Sequence, residues 1–364
     1  MLPPPLISII VPVGPAHRDC AGQAVASALR SSVADVEIVV INDSGARMRA
    51  TDPRVIVVAA PRGPGLRPAL ARNAGLAAAR GMFSVHLDAD DWLLPDGLAV
   101  LLRGYAETER SYVYGRHYAA HADGQPVAID GVPVAQTYGV SYDDWDYTRA
   151  NLHAVSALVP TALWRAVGGF DPGAPAWDDW TGYARLRRAG HCGAALTDPV
   201  FVYRIGRGVQ HHRDNAGGAT AMAAVRARIT AGGWAPMACG CSSAAQAARQ
   251  AAQRAVAAGQ APLGGAMSAD MDVRVLEYIG PGAGTQTWRV NGRVYRAGNN
   301  AVTRFLSTGH TLDPDDIPAL LALGVFREVP PPPAFAPPPE PDGIIVDEII
   351  DDRDDPAYVP PQDE

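Results

Sequence analysis

The chain of 364 residues contains no lysine; all 31 of its basic residues are arginine. That excludes chemistry requiring an ε-amine: a Walker-type phosphate loop, a Schiff base, and the strand lysine of protein kinases. Cysteine is scarce, with Cys20, Cys192, Cys239 and Cys241 the full set. Four in this length make no disulfide framework and suit a reducing, cytoplasmic setting. Long apolar runs are missing too. The opening stretch MLPPPLISIIVPVGP lacks a basic leader and is broken by proline. It reads as neither a signal peptide nor a membrane span, so a soluble protein without a membrane partner is expected. Positive charge is also in short supply. The formal net charge is −7, and ten carboxylates between Glu340 and Glu364 face Arg353 alone. The remainder is near neutral, whereas a duplex-binding domain would be strongly basic, so nucleic acid is not an expected partner.

What is present is enough hydrophobic material, 48% of residues, for a sizeable core, and a length that suits two domains and a tail. Residues 1–215 alternate unbroken β-type runs with helical stretches. LISIIVPV (6–13), VEIVVIN (36–42), RVIVVAA (54–60) and MFSVHLD (82–88) are the runs; ALARNAGLAAAR (69–80) and PDGLAVLLRGYAE (95–107) are helical. The first of these helices leaves Arg72 and Arg80 on a polar side. Buried runs separated by helices predict an α/β domain with a mostly parallel sheet covered on both faces. Residues 216–270, alanine-rich and carrying Cys239-Gly-Cys241, read as a helical linker whose thiols are mobile. Residues 271–329 read as a small β-rich domain, and the proline-rich acidic segment 330–364 as a disordered tail.

Open parallel sheets bind ligands beyond the carboxyl ends of their strands, so the residues just after each run carry the functional signal. Pro12-Val13-Gly14-Pro15 follows the first run, Asn42-Asp43-Ser44-Gly45 the second, and Asp88-Ala89-Asp90-Asp91 the fourth. The first turn is not G-x-G-x-x-G, which argues against a nicotinamide or flavin site. Asp43 can accept hydrogen bonds from a base or a ribose. Asp88 and Asp90 can divide their work between a sugar hydroxyl and a divalent cation, for which carboxylate oxygens are suited. The structural alternatives are an Asx turn at Asp43 and a helix cap at Asp90 or Asp91. WDDW (177–180) precedes a helical stretch, putting Asp178 and Asp179 at a helix N-terminus. Successive helical residues point about 100° apart, so only one of the two faces a substrate. The helix dipole is expected to keep that carboxylate ionised at neutral pH.

The segments ISIIVPV (7–13), VEIVVINDSG (36–45), RNAGLAAARG (72–81), VHLDADDWLLPD (85–96) and VGGFDPGAPAWDDW (167–180), in this order, resemble the family 2 inverting glycosyltransferases of the GT-A fold over roughly residues 6–205. The resemblance implies metal-dependent, non-processive transfer of a sugar, with inversion, from a nucleotide diphosphate donor, usually uridine-linked, to an acceptor hydroxyl. It implies that Pro12, Val13 and Asp43 meet the nucleotide, with Arg67 close by. Asp88 and Ala89 would hold ribose or donor sugar, and Asp90 the Mn²⁺ or Mg²⁺ with Asp88 beside it. Asp179 would be the base, and Asp178 stands where the family has glutamate. In many relatives a histidine after the last strand completes the metal site. Here Gly206 takes that place, so His211 or His212 in the loop RIGRGVQHHR (204–213) are the candidates, with Arg204, Arg207 and Arg213 facing the diphosphate. His153, Trp177, Trp180, Tyr142 and Trp145 are candidate acceptor-side groups whose structural alternative is core packing. The stretch 271–329 resembles small structural modules of tailed phages, which implies a docking role and a host-cytoplasmic or virion-associated protein. Two other readings remain open: a GT-A domain that has lost its chemistry and serves a phage particle or binds glycan, and a sugar nucleotidyltransferase. The latter normally needs a glycine-rich first turn with lysine.

Overall fold

The computed structural model describes residues 4–60, 68–129, 132–133, 135–136, 142–143, 146–151, 154–205, 218–231 and 243–261. Further on it describes the short elements 275–278, 285–290, 293–298, 304–306, 317–323, 326–329 and 343–346. In chain order the first part comprises β1 (Ile7–Val13), α1 (Ala21–Leu29), β2 (Val36–Asn42), β3 (Met48–Ala50), β4 (Val55–Ala59), α2 (Pro68–Ala78), β5 (Phe83–His86), β6 (Trp92–Leu93) and α3 (Gly97–Glu107). Then come β7 (Tyr112–Ala120), β8 (Ala128–Ile129), β9 (Val132–Pro133), β10 (Ala135–Gln136), β11 (Ala157–Pro160), α4 (Thr161–Ala166), α5 (Asp178–Arg188), β12 (Gly193–Arg204), α6 (Gly218–Ala231) and α7 (Ser243–Ala257).

A nine-stranded sheet runs β4-β2-β1-β5-β11-β7-β12-β6, with β10 added beside β7. The β4-β2-β1-β5 half is parallel throughout, as is β7 with β12, while β11 is antiparallel to both its neighbours. This is the α/β, GT-A-type architecture expected, a large sheet covered by helices. The period-2 geometry of a strand divides β1 between two cores. Ile7, Ile9, Val11 and Val13 join Val25 of α1 and Leu101 and Leu102 of α3 on one face. Ile10 joins Leu76 of α2, Trp164 of α4 and Tyr183 of α5 on the other. Helix α2 approaches β1 so closely that a Cβ at Gly75 would run into the Ile10 side chain. That contact fixes the face of α2 carrying Arg72, one turn earlier.

The chain runs β1, β2, β4 toward one edge and then returns to place β5 on the other side of β1. The crevice between the carboxyl ends of β1 and β5 is therefore the topological switch point, where such sheets take their ligands.

Three sequence expectations need correction. Helix α7 is no loose linker. Ala245, Ala248, Ala252 and Ala255 form a buried stripe at helical spacing, and the Tyr105 hydroxyl of α3 donates to the Ala245 carbonyl at 3.1 Å. Helix α6 buries Val225 and Ile229, and its Arg228 pairs with Asp171. Within the acidic tail, Ile344–Val346 forms a strand antiparallel to β3, and the Ile344 side chain is buried in the first core. Cys192 is also disulfide-bonded rather than reduced, whereas Cys20 is a buried thiol that donates to the His17 carbonyl; Cys239 and Cys241 lie outside the described residues. Among the described residues of 271–329, antiparallel strands Val275–Tyr278, Arg304–Leu306 and Phe326–Val329 form one small sheet, and Thr285–Val290 and Arg293–Gly298 pair as a separate antiparallel two-stranded sheet. Among the described residues no helix is long and apolar enough to cross a membrane.

Candidate functional site

Strand β1 ends at Val13 and β2 at Asn42, paired with each other in register. The Asp43 amide donates to the Val13 carbonyl at 2.9 Å, so Asp43 sits beside Pro12 and Val13 at the carboxyl edge. The Asx turn expected of Asp43 is made by Asn42, whose Oδ1 accepts from the Ser44 amide and hydroxyl. Asp43 itself is buried.

Beyond β5 the chain turns at once, with the Asp91 amide donating to the Asp88 carbonyl at 3.0 Å. Asp88, Ala89, Asp90 and Asp91 are thus gathered in one turn. None of them caps α3, whose N-cap residue is Asp96. Burial first, and then the neighbouring Asp88 charge, raise the Asp90 carboxyl above the usual range, against a smaller opposing pull from His17. Burial raises Asp91 much further, with Asp90 and Asp88 adding to it. The Arg204 amide at the end of β12 donates to Asp91 Oδ1 at 2.9 Å. The Arg204 guanidinium lies 5.0 Å over the Trp92 ring and donates to Gln23 of α1 at 2.6 Å. Asp90 and Asp91, one mostly and one fully buried and with this little compensation, are a poor resting place for two negative charges.

Opposite lie Asp178 and Asp179 in the first turn of α5. Trp177, just before them, has φ of 46°, a left-handed conformation costly for a bulky residue that turns the chain sharply into the helix. The two acids diverge as helical geometry requires. Asp178 is buried and ion-paired with Arg72, whose other terminal nitrogen pairs with Asp88. Burial alone would lower the Arg72 pKa, but Asp178, Asp88 and Asp179 outweigh it and raise it, so the guanidinium stays charged. Its position is fixed from behind. Asn73 exchanges two hydrogen bonds with the Phe170 backbone, both 2.9 Å, and the guanidinium carbon stands 5.6 Å from the Phe170 ring centroid.

Asp179 accepts from the Asn151 side chain at 2.7 Å and from the Trp180 amide at 2.8 Å. Desolvation, then the Asp178 charge, raise its pKa to about 7, despite the opposing Arg72 charge and the Trp180 amide. The expectation that the helix terminus keeps this carboxylate fully ionised is therefore corrected: burial and a like charge prevail. Arg72 is the residue that sequence reasoning misplaced, since it is not on a polar face but joins the two acidic clusters.

Asp43, Asp88, Ala89, Asp90, Asp178, Asp179, Arg204, Pro12 and Val13 thus lie along one sheet edge or the elements facing it. Arg67, Arg207, His211, His212, Arg213, His153 and Trp145 lie outside the described residues. Trp180 and Tyr142 belong to the core: Trp180 Nε1 donates to the Tyr147 carbonyl at 2.6 Å, and the Tyr142 hydroxyl to the His191 carbonyl at 3.2 Å. Trp177 is only partly buried, packed against the same core. Among the described residues, no three His, Cys, Asp or Glu side chains converge as a metal-ligand set. The donor chemistry still fits a hard divalent cation, because such ions take one or two carboxylates and draw their other ligands from substrate phosphates and water. Sequence reasoning also missed His17, in the 3₁₀ turn Pro15–His17, whose Nε2 lies 3.7 Å from Asp90 Oδ2.

The family model described as "Glycosyl transferase family 2" matches residues 8–152, from the second residue of β1 to beyond β10. Among curated proteins, the succinoglycan biosynthesis protein ExoO of Rhizobium meliloti (strain 1021) is 35% identical over 125 residues, covering 33% of this chain and 31% of that protein. The chondroitin synthase of Pasteurella multocida (strain Pm70) is 30% identical over 136 residues, covering 34% of this chain and 13% of its own. An uncharacterized glycosyltransferase of Haemophilus influenzae is 30% identical over 134 residues, 34% of this chain and 52% of that one. The chain thus spans from about an eighth to about half of the length of these relatives. Among solved structures, S. aureus TarS 1-349 in complex with UDP-GlcNAc aligns with a TM-score of 0.46 at 15% identity, covering 60% of this chain and 65% of that one.

Proposed function

We propose that this protein is a metal-dependent, non-processive, inverting glycosyltransferase that moves a sugar from a nucleotide diphosphate donor to an acceptor hydroxyl. The observation that carries the reading is the pair of acidic clusters joined by Arg72 at the switch-point crevice, one cluster ending in a carboxyl with a pKa of about 7. The family match over residues 8–152 supports it. The uridine identity of the donor rests on the sequence resemblance.

In this reading Pro12, Val13 and Asp43 receive the nucleotide at the ends of β1 and β2. Asp88 holds ribose or donor sugar, and Arg72 keeps its carboxylate oriented. Asp90, with Asp88, would hold Mn²⁺ or Mg²⁺, which when bound supplies Lewis-acid stabilisation of the diphosphate. Arg204, held against Trp92 and Gln23, adds positive charge where the leaving group develops its own, without having to reorganise. Asp179 takes the proton from the acceptor hydroxyl as that oxygen attacks the anomeric carbon, and the diphosphate departs from the opposite face. A base poised near pH 7 combines a large ionised fraction with real proton affinity. Arg72 assists by accommodating Asp178, so that Asp179 is left to titrate.

The test is a screen of nucleotide sugars for nucleoside diphosphate release, with and without Mn²⁺. The proposal expects release from one donor class, dependent on the ion and abolished in Asp90→Ala. Turnover that is unchanged by Asp90→Ala would remove the metal assignment. Failure to bind any nucleotide would favour a non-catalytic role for the domain.

A further inference from the structure

We infer that His17 is a ligand of the divalent cation, paired with Asp90 across the β1–β5 crevice; the inference rests on the metal-dependent reading above. In the sequence resemblance the imidazole ligand comes from the loop after the last strand. Here that position is Gly206. An imidazole at the end of the first strand reaches the same carboxylate from the other wall.

Three observations lead to it. First, His17 Nε2 is sealed from solvent and has no hydrogen-bond partner. The side chains of His17 and Asp90 are only 19% and 14% exposed. A buried ring nitrogen without a partner is costly, and a native site normally supplies one. Second, the 3.7 Å between Nε2 and Asp90 Oδ2 is too long for a hydrogen bond. It is within the about 4 Å that two metal–ligand bonds of about 2 Å span at most, so a small closure lets the two donors share one ion. Third, the histidine is held in place. Pro15 opens the turn, the His17 amide donates to the Gly14 carbonyl at 3.1 Å, and the Cys20 amide and thiol both donate to the His17 carbonyl at 3.2 Å. The backbone is thereby fixed from both sides, leaving the ring aimed at Asp90.

Two protein ligands suffice, with diphosphate oxygens and water completing the shell. This arrangement also gives the first turn after β1 a purpose that a glycine-rich phosphate loop serves elsewhere: that turn meets the diphosphate through the ion.

The experiment is electron spin echo envelope modulation on the full chain with Mn²⁺ and uridine diphosphate. Phosphorus coupling reports the diphosphate on the ion, and nitrogen coupling reports an imidazole. The inference predicts nitrogen modulation in the wild type that is lost in both His17→Ala and His17→Gln and retained in a His211→Ala/His212→Ala variant. Bound Mn²⁺ that shows no nitrogen coupling, or coupling that survives in the His17 variants, would overturn the inference while leaving Asp90 as a ligand. If the wild type holds no Mn²⁺ at all, the metal-dependent reading fails along with it.

Discussion

Two adjacent aspartate pairs face each other across the crevice, and they are stabilised in different ways. At the start of α5, Asp178 is ion-paired with the buried Arg72, and only Asp179 is left with a raised pKa. At the end of β5, both Asp90 and Asp91 are raised, and the groups that face them are the His17 ring at 3.7 Å and Arg204, already bonded to Gln23. The first pair has its counter-ion built into the fold. The second is a site whose charge is best balanced by something that arrives. The comparison suggests a division of labour, with proton transfer at α5 and cation and diphosphate binding at β5.

The largest effect that would sharpen this contrast is on turnover. Asp179→Asn removes the proposed base and is expected to lower kcat by about 10²–10⁴-fold, with nucleotide affinity unchanged in a binding titration. Asp178→Asn should instead act on stability. It leaves the Arg72 cation short of a partner, and breaking a buried pair costs about 3–5 kcal/mol, which denaturant unfolding would read. If Asp178→Asn alone abolishes transfer and Asp179→Asn does not, the two roles are reversed.

A subtler effect separates the two neighbours of Asp179. Arg72 lowers its pKa and Asp178 raises it. The kcat–pH profile, expected to rise through about 7 as Asp179 ionises, should therefore move to higher pH in Arg72→Met and to lower pH in Asp178→Asn. Shifts in the same direction would mean that the rate does not follow Asp179. Arg72→Met is also expected to destabilise the fold by about 3–5 kcal/mol.

Smaller still is the dependence of stability on pH. The folded pKa of Asp179 lies above the usual value of an unfolded aspartate, about 3.9. Folded protein keeps a proton that unfolded chain releases, so stability falls as pH rises from about 4 to about 7. Asp179→Asn removes this loss. Its melting temperature relative to wild type should climb over that window and level off above it. A difference that stays constant with pH would refute the raised value.

The sequence made the parallel half of the sheet legible because β1 and β2 are mostly apolar runs buried on both faces, while β5, also buried, carries Ser84 and His86 within its run. The same fact exposed Asp43, Asp88 and Asp90, since polar residues that end such runs must lie at the edge. Arg72 was misread because helical periodicity records which face a residue occupies, not that the face meets two carboxylates from β5 and α5. His17 lay in a proline-led turn with no periodicity to interpret. The alanine stripe of α7 looked too poor in apolar area to pack. Alanine, however, lets helices approach closely, and α7 rests on α3. Ile344–Val346 was hidden in an acidic, proline-rich composition, and its partner β3 lies nearly three hundred residues earlier.

The central claim is that the β1–β5 crevice holds a nucleotide diphosphate through a cation at Asp90, with Asp179 reserved for chemistry. Calorimetric titration of uridine diphosphate in the presence of Mn²⁺ tests it most directly. The account predicts binding that requires the ion, is lost in Asp90→Ala and is kept in Asp179→Asn. Binding of equal strength in Asp90→Ala, or none in the wild type, would contradict it.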